Sequence, residues 1–354
     1  CWALRLFLRL RMKRRSVMRF LMRLRLRATL RRTGRITKCG SYILLLQFLS
    51  VFSSYLCMPS HTAVRCTDFA GVCKMRDTLK LYYAKLANMG DLLSPMIIEH
   101  CFGYKVERAS FLTGEVCAVG SCLAQYKLHG TPLMKVQQTI NGFTHPTVRI
   151  WGTGFINYLD CDGRFFKRDM RFHAVRGEMT RKNAERMTGR RLDIPTGDAG
   201  ILASELIDTL PEKKYDIGII PHICDLKEEL VHDVARKYDG SILINVKDEP
   251  LEVIKQLAQC RTVISSSLHG LIVADSFGIP NMHVLFSDRP LGDGYKFDDY
   301  YSAYGVEHVQ RDLRCEMAPE INEIQDSWSI TPEAAAEKKK LMLESFPFPK
   351  CGES

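Results

Sequence analysis

Hydroxyl and imidazole side chains are concentrated in one stretch of the chain, residues 261–281 (RTVISSSLHGLIVADSFGIPN). The β-branched run at 262–264 predicts a buried strand. The apolar residues that follow, closed by Gly278 and Pro280, predict a helix packed on a sheet. The residues that could do chemistry therefore stand where a strand opens into a helix: Ser265, Ser266, Ser267, His269 and Gly270.

A junction of this kind is suited to binding an anion. The first N–H groups of a helix lack partners and lie at the positive end of the helix dipole, so they hold phosphate or carboxylate well. His269 stands at the edge of the junction, where an imidazole can give or take a proton near pH 7. The alternative is structural, since serines before a helix are most often N-caps and a lone histidine is more often a hydrogen-bonded structural residue.

Other candidate residues come directly after predicted strands: Asp91, Arg176 and His222. The carboxyl ends of parallel strands meet at one edge of a sheet, where open α/β folds bind ligands. Arg176 offers a planar fork to an anion, and Lys296 lies in an aromatic, charged segment, 292–304, predicted to be a loop that covers the cleft. Structural alternatives are a helix cap at Asp91 and a surface ion pair of Arg176 with Glu178.

The elements that must position these residues alternate between strands and helices, and the pattern restarts near residues 203–213. The sequence therefore predicts an α/β protein of two doubly wound, Rossmann-like domains facing a cleft. The chain is predicted to begin with a basic and apolar leader at 1–77 and an N-terminal α/β domain at 78–205. A C-terminal α/β domain carrying the serine-histidine block follows at 206–331, and a closing helix with a tail occupies 332–354.

Charge is distributed unevenly along the 354 residues. Residues 1–75 hold 16 Lys and Arg against one acidic residue, and the remainder holds 34 basic and 39 acidic residues. The body therefore carries no general positive field for nucleic acid. The 13 cysteines include no C-x-x-C pair and no His/Cys cluster with zinc spacing, which predicts no metal site and a reducing compartment.

The leader combines alternating Arg and apolar residues at 4–32 with an uncharged apolar run at 42–58. The first pattern is typical of a basic amphipathic helix on a membrane surface. The second is about 17 residues long, near the lower limit of a membrane span and also compatible with a signal-peptide core. Three interpretations stay open: translated upstream sequence that is not native, with Met75 as the initiator, a membrane anchor, or an interfacial helix.

Seven blocks of this sequence resemble the polysaccharide pyruvyl transferases and fall in that family's order. The hallmark is SSSLHGLIVADSFGIPN (265–281), a serine-rich strand end, His-Gly and an apolar helix ending in GIP. The other blocks are LYYAKLANMGDLLSP (81–95), IWGTGF (150–155), AVRGEMT (174–180), TGDAGIL (196–202), IGIIPHICD (217–225) and KFDDYYSAYG (296–305).

The resemblance implies a glycosyltransferase-B-like fold. It also implies a reaction in which a pyruvyl group passes from phosphoenolpyruvate to two hydroxyls of one sugar in a cell-surface or exported polysaccharide, forming a cyclic ketal. The donor is phosphoenolpyruvate, the acceptor is a glycan or lipid-linked oligosaccharide, and no metal or redox cofactor is implied. His269 is then the general acid/base, Arg176 the anion clamp and Asp91 the group facing the acceptor. The remaining donor-binding candidates are Ser265, Ser266, Ser267, Gly270, His222 and Lys296.

The expected location is the cytoplasm, where the donor is found, with membrane-surface contact through the leader. Two functions of other kinds fit the same sequence: a nucleotide-sugar glycosyltransferase of the same architecture, and a non-catalytic glycan-assembly protein.

Overall fold

The computed structural model describes residues 77–84, 88–158 and 168–352. The leader predicted at 1–77 lies outside the described residues except for its last position, and so do the amphipathic and apolar runs within it. No helix in the three described ranges has the length and apolarity needed to cross a membrane.

The first half of the described chain forms a five-stranded parallel sheet of order β2-β1-β3-β4-β5. Its strands are β1 (Thr78–Tyr82), β2 (Lys105–Arg108), β3 (Val116–Cys117), β4 (Val148–Ile150) and β5 (Met170–Phe172). Its helices are α1 (Met89–Phe102), α2 (Pro132–Thr144) and α3 (Glu178–Thr188), with 3₁₀ turns at Leu123–Tyr126 and Ala199–Leu206.

The second half forms another five-stranded parallel sheet, of order β10-β9-β8-β6-β7. Its strands are β6 (Tyr215–Ile220), β7 (Ser241–Leu243), β8 (Cys260–Ser265), β9 (Asn281–Leu285) and β10 (Gln310–Asp312). Its helices are α4 (Glu229–Lys237), α5 (Pro250–Ala258), α6 (Leu268–Ser276), α7 (Tyr295–Ser302), α8 (Ile321–Ser327) and α9 (Pro332–Glu344).

One hydrophobic core joins the two sheets. Buried side chains of α1, such as Leu93, belong to the same cluster as Leu271 of α6 and Val263 of β8. The 3₁₀ turn at Ala199–Leu206 packs between α1 and α6, and a Cβ added at Gly200 would lie 3.2 Å from Ile272 and 3.6 Å from Leu93. The carboxyl ends of both sheets are thereby held against each other.

The predicted fold class is confirmed, because both halves are parallel α/β sheets of the Rossmann type. The domain boundary at 205/206 stays a prediction. The serine-histidine block has the predicted form, with 262–264 inside β8 and an apolar α6 that is buried at every position except His269. An all-round apolar helix of this kind needs neighbours on all faces, here α1, α5 and α9.

The prediction of a covering loop at 292–304 is wrong. Residues 295–302 form α7, and most of its side chains are buried. The apolar positions Phe297, Tyr300, Tyr301 and Tyr304 have the i, i+3, i+4, i+7 spacing of a helix, but the flanking glycines and charged residues obscured that signal. Strand β2 and helix α2 were also missed, and β3 is only two residues long before the chain turns.

Candidate active site

The candidate residues lie where the carboxyl ends of the two sheets meet. The backbone N–H of Met89, at the start of α1, donates to the carbonyl of Val246, which follows β7, at 2.8 Å. On the same boundary the imidazole of His269 packs on Gly90, and a Cβ at position 90 would lie 2.2 Å from its Nδ1. Only a glycine at position 90 therefore lets α1 approach the histidine this closely.

His269 occupies the first turn of α6 and is the one residue of that helix that is partly exposed. Its Nε2 has no hydrogen-bond partner within the described part of the chain. Burial, with a smaller contribution from the positive charges of Arg176 and Lys296, lowers the pKa of His269 to about 3. The ring is therefore neutral at pH 7, with one unpaired nitrogen, which is a state that native proteins rarely keep without a functional reason.

The three serines differ in what their hydroxyls do. Ser265 Oγ donates to the carbonyls of Ile220 at 2.7 Å and of Ser267 at 3.0 Å. Ser266 Oγ donates to Asp225 at 2.6 Å and accepts from the backbone N–H of His222 at 2.8 Å. Both hydroxyls thus hold the ends of β6 and β8 together. Ser267 is the N-cap residue of α6, and its side chain makes no capping hydrogen bond there.

Gly270 allows α6 to pack closely on this strand end. A Cβ at position 270 would lie 2.4 Å from Ser265 Oγ and 3.0 Å from Ile220. The Ser-x-x-x-x-Gly spacing of the block therefore has a packing explanation, and it fixes the direction in which the first turn of α6 points.

His222 follows β6 and lies beside the serine block. Its Nδ1 accepts from the backbone N–H of Cys224 at 3.4 Å and lies 2.9 Å from Cys224 Sγ. Burial lowers the pKa of His222 to about 4, and the charge of Lys296 acts in the same direction. This second imidazole is also neutral at pH 7.

Lys296, the second residue of α7, is 9% exposed. Its ammonium group makes no ion pair or hydrogen bond with any described residue, and its Nζ lies 5.2 Å from the centre of the Phe297 ring. Burial is the main reason that its pKa falls to about 8; the charge of Arg176 acts in the same direction, and the carboxylates of Asp225 and Asp91 oppose the shift. A buried ammonium group without a carboxylate is costly, so this position is prepared for an anion.

Asp91 lies in the first turn of α1, after β1. The helix is capped by Asn88, whose side chain accepts from Gly90 N, so the structural role suggested for Asp91 belongs to its neighbour. Burial raises the pKa of Asp91 to about 6, while Asn88 and Lys296 oppose the rise. The carboxyl group can therefore change its protonation state within the range in which an enzyme works.

Arg176 is fully buried and its guanidinium group is engaged by the protein. Nε donates to Asp299 Oδ2 at 2.9 Å, Nη1 to Ser121 Oγ at 2.8 Å and Nη2 to the Phe155 carbonyl at 2.5 Å. Glu178, the partner expected for a surface ion pair, bonds to Arg181 instead. The positive charge of Arg176 acts on His269 and Lys296, but the N–H groups of its guanidinium donate to protein partners.

Asp299 was not among the predicted residues. Its carboxylate also accepts from the backbone N–H and the hydroxyl of Thr180, both at 2.7 Å. The glycines nearby make room for this ion pair, since a Cβ at Gly154 would lie 2.6 Å from Arg176 and one at Gly177 would lie 1.6 Å from the Asp299 carbonyl. The blocks IWGTGF (150–155) and AVRGEMT (174–180) therefore form a buried connection from the first sheet to α7.

Asp225 is the other residue that sequence reasoning missed. It is buried after β6 and accepts from Ser266 Oγ and from Ser287 Oγ at 2.5 Å. Its position three residues after His222 in the PHICD block was the available signal. No group of three or more His, Cys, Asp or Glu side chains in the described ranges is arranged to hold a metal ion.

Comparison with known proteins places the chain in a family. An uncharacterized protein, L143, of Acanthamoeba polyphaga mimivirus is 30% identical over 239 residues, which are 66% of this chain and 77% of that protein. The family described as Polysaccharide pyruvyl transferase matches residues 148–287. The chain belongs to the polysaccharide pyruvyl transferase family.

The family match covers Arg176, His222 and the serine-histidine block of this pyruvyl transferase family member, whereas Asp91 and Lys296 lie outside it. The structure brings residues from inside and outside the match to one place. No solved structure matches the chain.

Proposed function

We propose that this protein transfers the pyruvyl group of phosphoenolpyruvate to two hydroxyls of one sugar in a polysaccharide or its lipid-linked precursor. The observation that carries the proposal is the buried, unpaired ammonium group of Lys296 beside the neutral His269. Together they form a charged but unneutralised position at the junction of the two sheets. A small, strongly anionic donor supplies the missing negative charge.

The donor-binding surface comprises Lys296, His222, Ser267 and the first turn of α6. The phosphate and carboxylate of phosphoenolpyruvate need fixed cations and N–H groups, which these residues provide. Ser265, Ser266 and Gly270 act by shaping the strand end, because their hydroxyls and packing space are already used. Arg176 acts through its positive charge and by holding α7, on which Lys296 stands.

His269 is the group that moves the proton. The donor brings negative charge beside the ring, which opposes the burial and the nearby positive charges that hold the pKa of His269 near 3 and favours the imidazolium form. The imidazolium gives its proton to the terminal carbon of the vinyl group, and the adjacent carbon becomes electrophilic. The burial of the ring keeps this proton away from bulk water.

Asp91 accepts the proton of the attacking sugar hydroxyl. A C–O bond forms to the electrophilic carbon, the C–O bond to phosphate breaks, and the second hydroxyl closes the ketal. Of the two hydroxyl protons, one replaces the proton that His269 delivered to the methyl carbon and the other leaves with inorganic phosphate. With a pKa of about 6, Asp91 is mostly ionised at pH 7 and ready to accept. Because the donor is a cytosolic metabolite, the proposal places this reaction in the cytoplasm.

The proposal is tested by incubating the full chain with phosphoenolpyruvate and candidate glycans. Phosphate should be released only when both substrates are present. A His269→Gln variant should lose this release, while His232→Gln, which alters an exposed histidine on α4, should retain it. Protection against heat by a nucleoside diphosphate, without protection by phosphoenolpyruvate, would instead indicate a nucleotide-sugar glycosyltransferase.

A further inference from the structure

A thiol lies against the second imidazole of the candidate site. Cys224 stands four residues after the end of β6 and is partly exposed. Its Sγ lies 2.9 Å from Nδ1 of His222. The reaction proposed above gives this cysteine no role, although it contacts a residue of the donor-binding surface.

The turn that carries both residues is held by hydrogen bonds. The backbone N–H of Asp225 donates to the carbonyl of His222 at 2.8 Å. The backbone N–H of His222 donates to Ser266 Oγ at 2.8 Å, and Ser266 Oγ donates to the buried carboxylate of Asp225 at 2.6 Å. The contact between the thiol and the ring is therefore fixed by the way the 222–225 turn is fastened to the end of β8.

The groups around Nδ1 of His222 determine whether this nitrogen carries a proton. The backbone N–H of Cys224 donates to Nδ1 at 3.4 Å, and because an N–H group only donates, Nδ1 must offer its lone pair. Burial and the charge of Asp225 raise the pKa of Cys224, so the sulfur keeps its proton at pH 7. That proton has Nδ1 at 2.9 Å and the Asp225 carboxylate at 3.9 Å, and the nitrogen is the nearer acceptor. Cys224 therefore donates to Nδ1 with its N–H group and with its S–H group.

The single proton of the neutral His222 ring is consequently on Nε2. Burial, with the charge of Lys296 acting in the same direction, lowers the pKa of His222 to about 4, so the ring holds one proton at pH 7 and Nδ1 is the acceptor. Nε2 makes no hydrogen bond with any described residue and, unlike Nε2 of His269, it is not buried. His222 thus offers a free, uncharged N–H group on the surface that also carries Lys296.

We propose that Cys224 is a positioning residue whose S–H group keeps His222 in the Nε2–H tautomer, so that the ring donates a hydrogen bond to an anionic oxygen of the donor. The opposite tautomer would direct a lone pair at that oxygen and leave it without its hydrogen bond. A hydrogen bond accepted at Nδ1 also strengthens Nε2–H as a donor, because linked hydrogen bonds polarise one another. Phosphoenolpyruvate as the ligand rests on the function proposed above, whereas the tautomer is a property of the free protein.

The tautomer is measured on the full chain without ligand, by NMR of the imidazole nitrogens of His222, assigned by comparison with His222→Gln. The wild-type protein should show a protonated Nε2 and an unprotonated Nδ1 that accepts a hydrogen bond. Cys224→Ala removes the thiol and should move the Nδ1 signal toward that of a more weakly bonded nitrogen, while Cys224→Ser keeps a donor and should restore it. Cys315→Ala alters an exposed cysteine and, as the matched control, should leave both signals unchanged.

Donor binding by the same proteins is measured by calorimetry with phosphoenolpyruvate. Cys224→Ala should bind it about fivefold more weakly, which is about 1 kcal/mol and the contribution of one neutral hydrogen bond. Cys224→Ser and Cys315→Ala should bind it nearly as tightly as the wild type. Turnover at saturating donor should change less than the affinity does, because His269 and Asp91 move the protons.

Three outcomes would overturn the role of Cys224. The first is a wild-type His222 ring that carries its proton on Nδ1, and the second is a Cys224→Ala protein whose Nδ1 signal and donor affinity both match the wild type. The third is a Cys224→Ser protein that binds the donor as weakly as Cys224→Ala although its Nδ1 signal is restored. A wild-type protein that binds no phosphoenolpyruvate would refute the function proposed above and the hydrogen bond to the donor with it, while the ligand-free measurement would still decide whether Cys224 sets the tautomer.

Discussion

Replacing Lys296 with methionine should both stabilise the protein against unfolding and abolish tight binding of the donor. The folded-state pKa of Lys296 is about 8, against 10.5 for a free lysine side chain. Each unit of difference corresponds to about 1.4 kcal/mol, so keeping this group charged at pH 7 costs the folded state about 3 kcal/mol. Methionine has a similar length and no charge, so Lys296→Met should raise the free energy of unfolding by up to that amount.

The pH dependence of this gain follows from the direction of the shift. Between pH 8 and 10.5 the unfolded chain binds more protons at Lys296 than the folded chain does, so wild-type stability should rise with pH across that window. The advantage of Lys296→Met should shrink correspondingly and vanish near pH 10.5. Urea unfolding at a series of pH values measures this, with Lys340→Met as the control, because that lysine is 74% exposed in a surface pair.

The affinity for the donor should also depend on the titration of Lys296, but it should fall as the pH rises. If the charged ammonium group binds phosphoenolpyruvate, affinity should be constant up to about pH 7.5 and fall about tenfold by pH 9, which is about 1.4 kcal/mol. Near pH 8 donor binding should take up about half a proton, detectable by calorimetry in buffers of different ionisation enthalpy. Lys296→Arg should bind with little pH dependence, since a guanidinium does not deprotonate in this range.

Two results would refute this reasoning. One is a Lys296→Met protein that binds phosphoenolpyruvate as tightly as the wild type at pH 7. The other is a Lys296→Met protein that is less stable than the wild type at that pH, because the lysine would then be satisfied by partners within the fold.

Three further substitutions separate positioning from chemistry. Gly90→Ala places a methyl group where the His269 ring lies, so turnover should be lost. The free energy of unfolding measured in urea should change by about 1 kcal/mol or less, because alanine favours the helix. Full turnover in this variant would contradict the close contact. Asp299→Ala leaves the buried Arg176 charge without its carboxylate. This variant should lower the free energy of unfolding by about 3 to 5 kcal/mol. A loss below about 1 kcal/mol, measured by urea unfolding, would show that the ion pair is dispensable. Asp91→Asn should lower the rate by about a hundredfold or more and remove the rise in activity as pH increases through about 6; a pH–rate profile that keeps this rise would exclude Asp91 as the base.

The sequence was informative where chemistry and chain order coincide. The serine-histidine block, the turn at Asp91 and the strand end at His222 all fall where parallel strands end, and the α/β alternation alone predicts that edge as the ligand side. The structure places these residues there, and burial lowers the pKa values of His222 and His269 and raises that of Asp91.

Contacts between distant parts of the chain could not be predicted in the same way. Arg176 and Asp299 are 123 positions apart, and no local pattern pairs them. The hydroxyls of Ser265 and Ser266 were equally ambiguous, because a serine at a strand end can face a ligand or tie two strands, and only the positions of Ile220 and Asp225 decide between these.

Helix α7 shows a different limit of sequence reasoning. Its apolar stripe was present in the sequence, but the glycines and acidic residues around it are also typical of a surface loop. Packing against α3 and stacking of Phe297 on His283 bury the segment. Tertiary contacts thus turned a segment of weak helical propensity into the support for Lys296.

Pyruvyl transfer itself is tested most directly by following ¹³C-labelled phosphoenolpyruvate by NMR in the presence of the full chain and a glycan acceptor. The predicted result is a quaternary ketal carbon and its methyl group in the glycan fraction, with one inorganic phosphate formed for each ketal. Label that stays in phosphoenolpyruvate with every acceptor, or that appears as free pyruvate at the same rate without glycan, would contradict the proposed function.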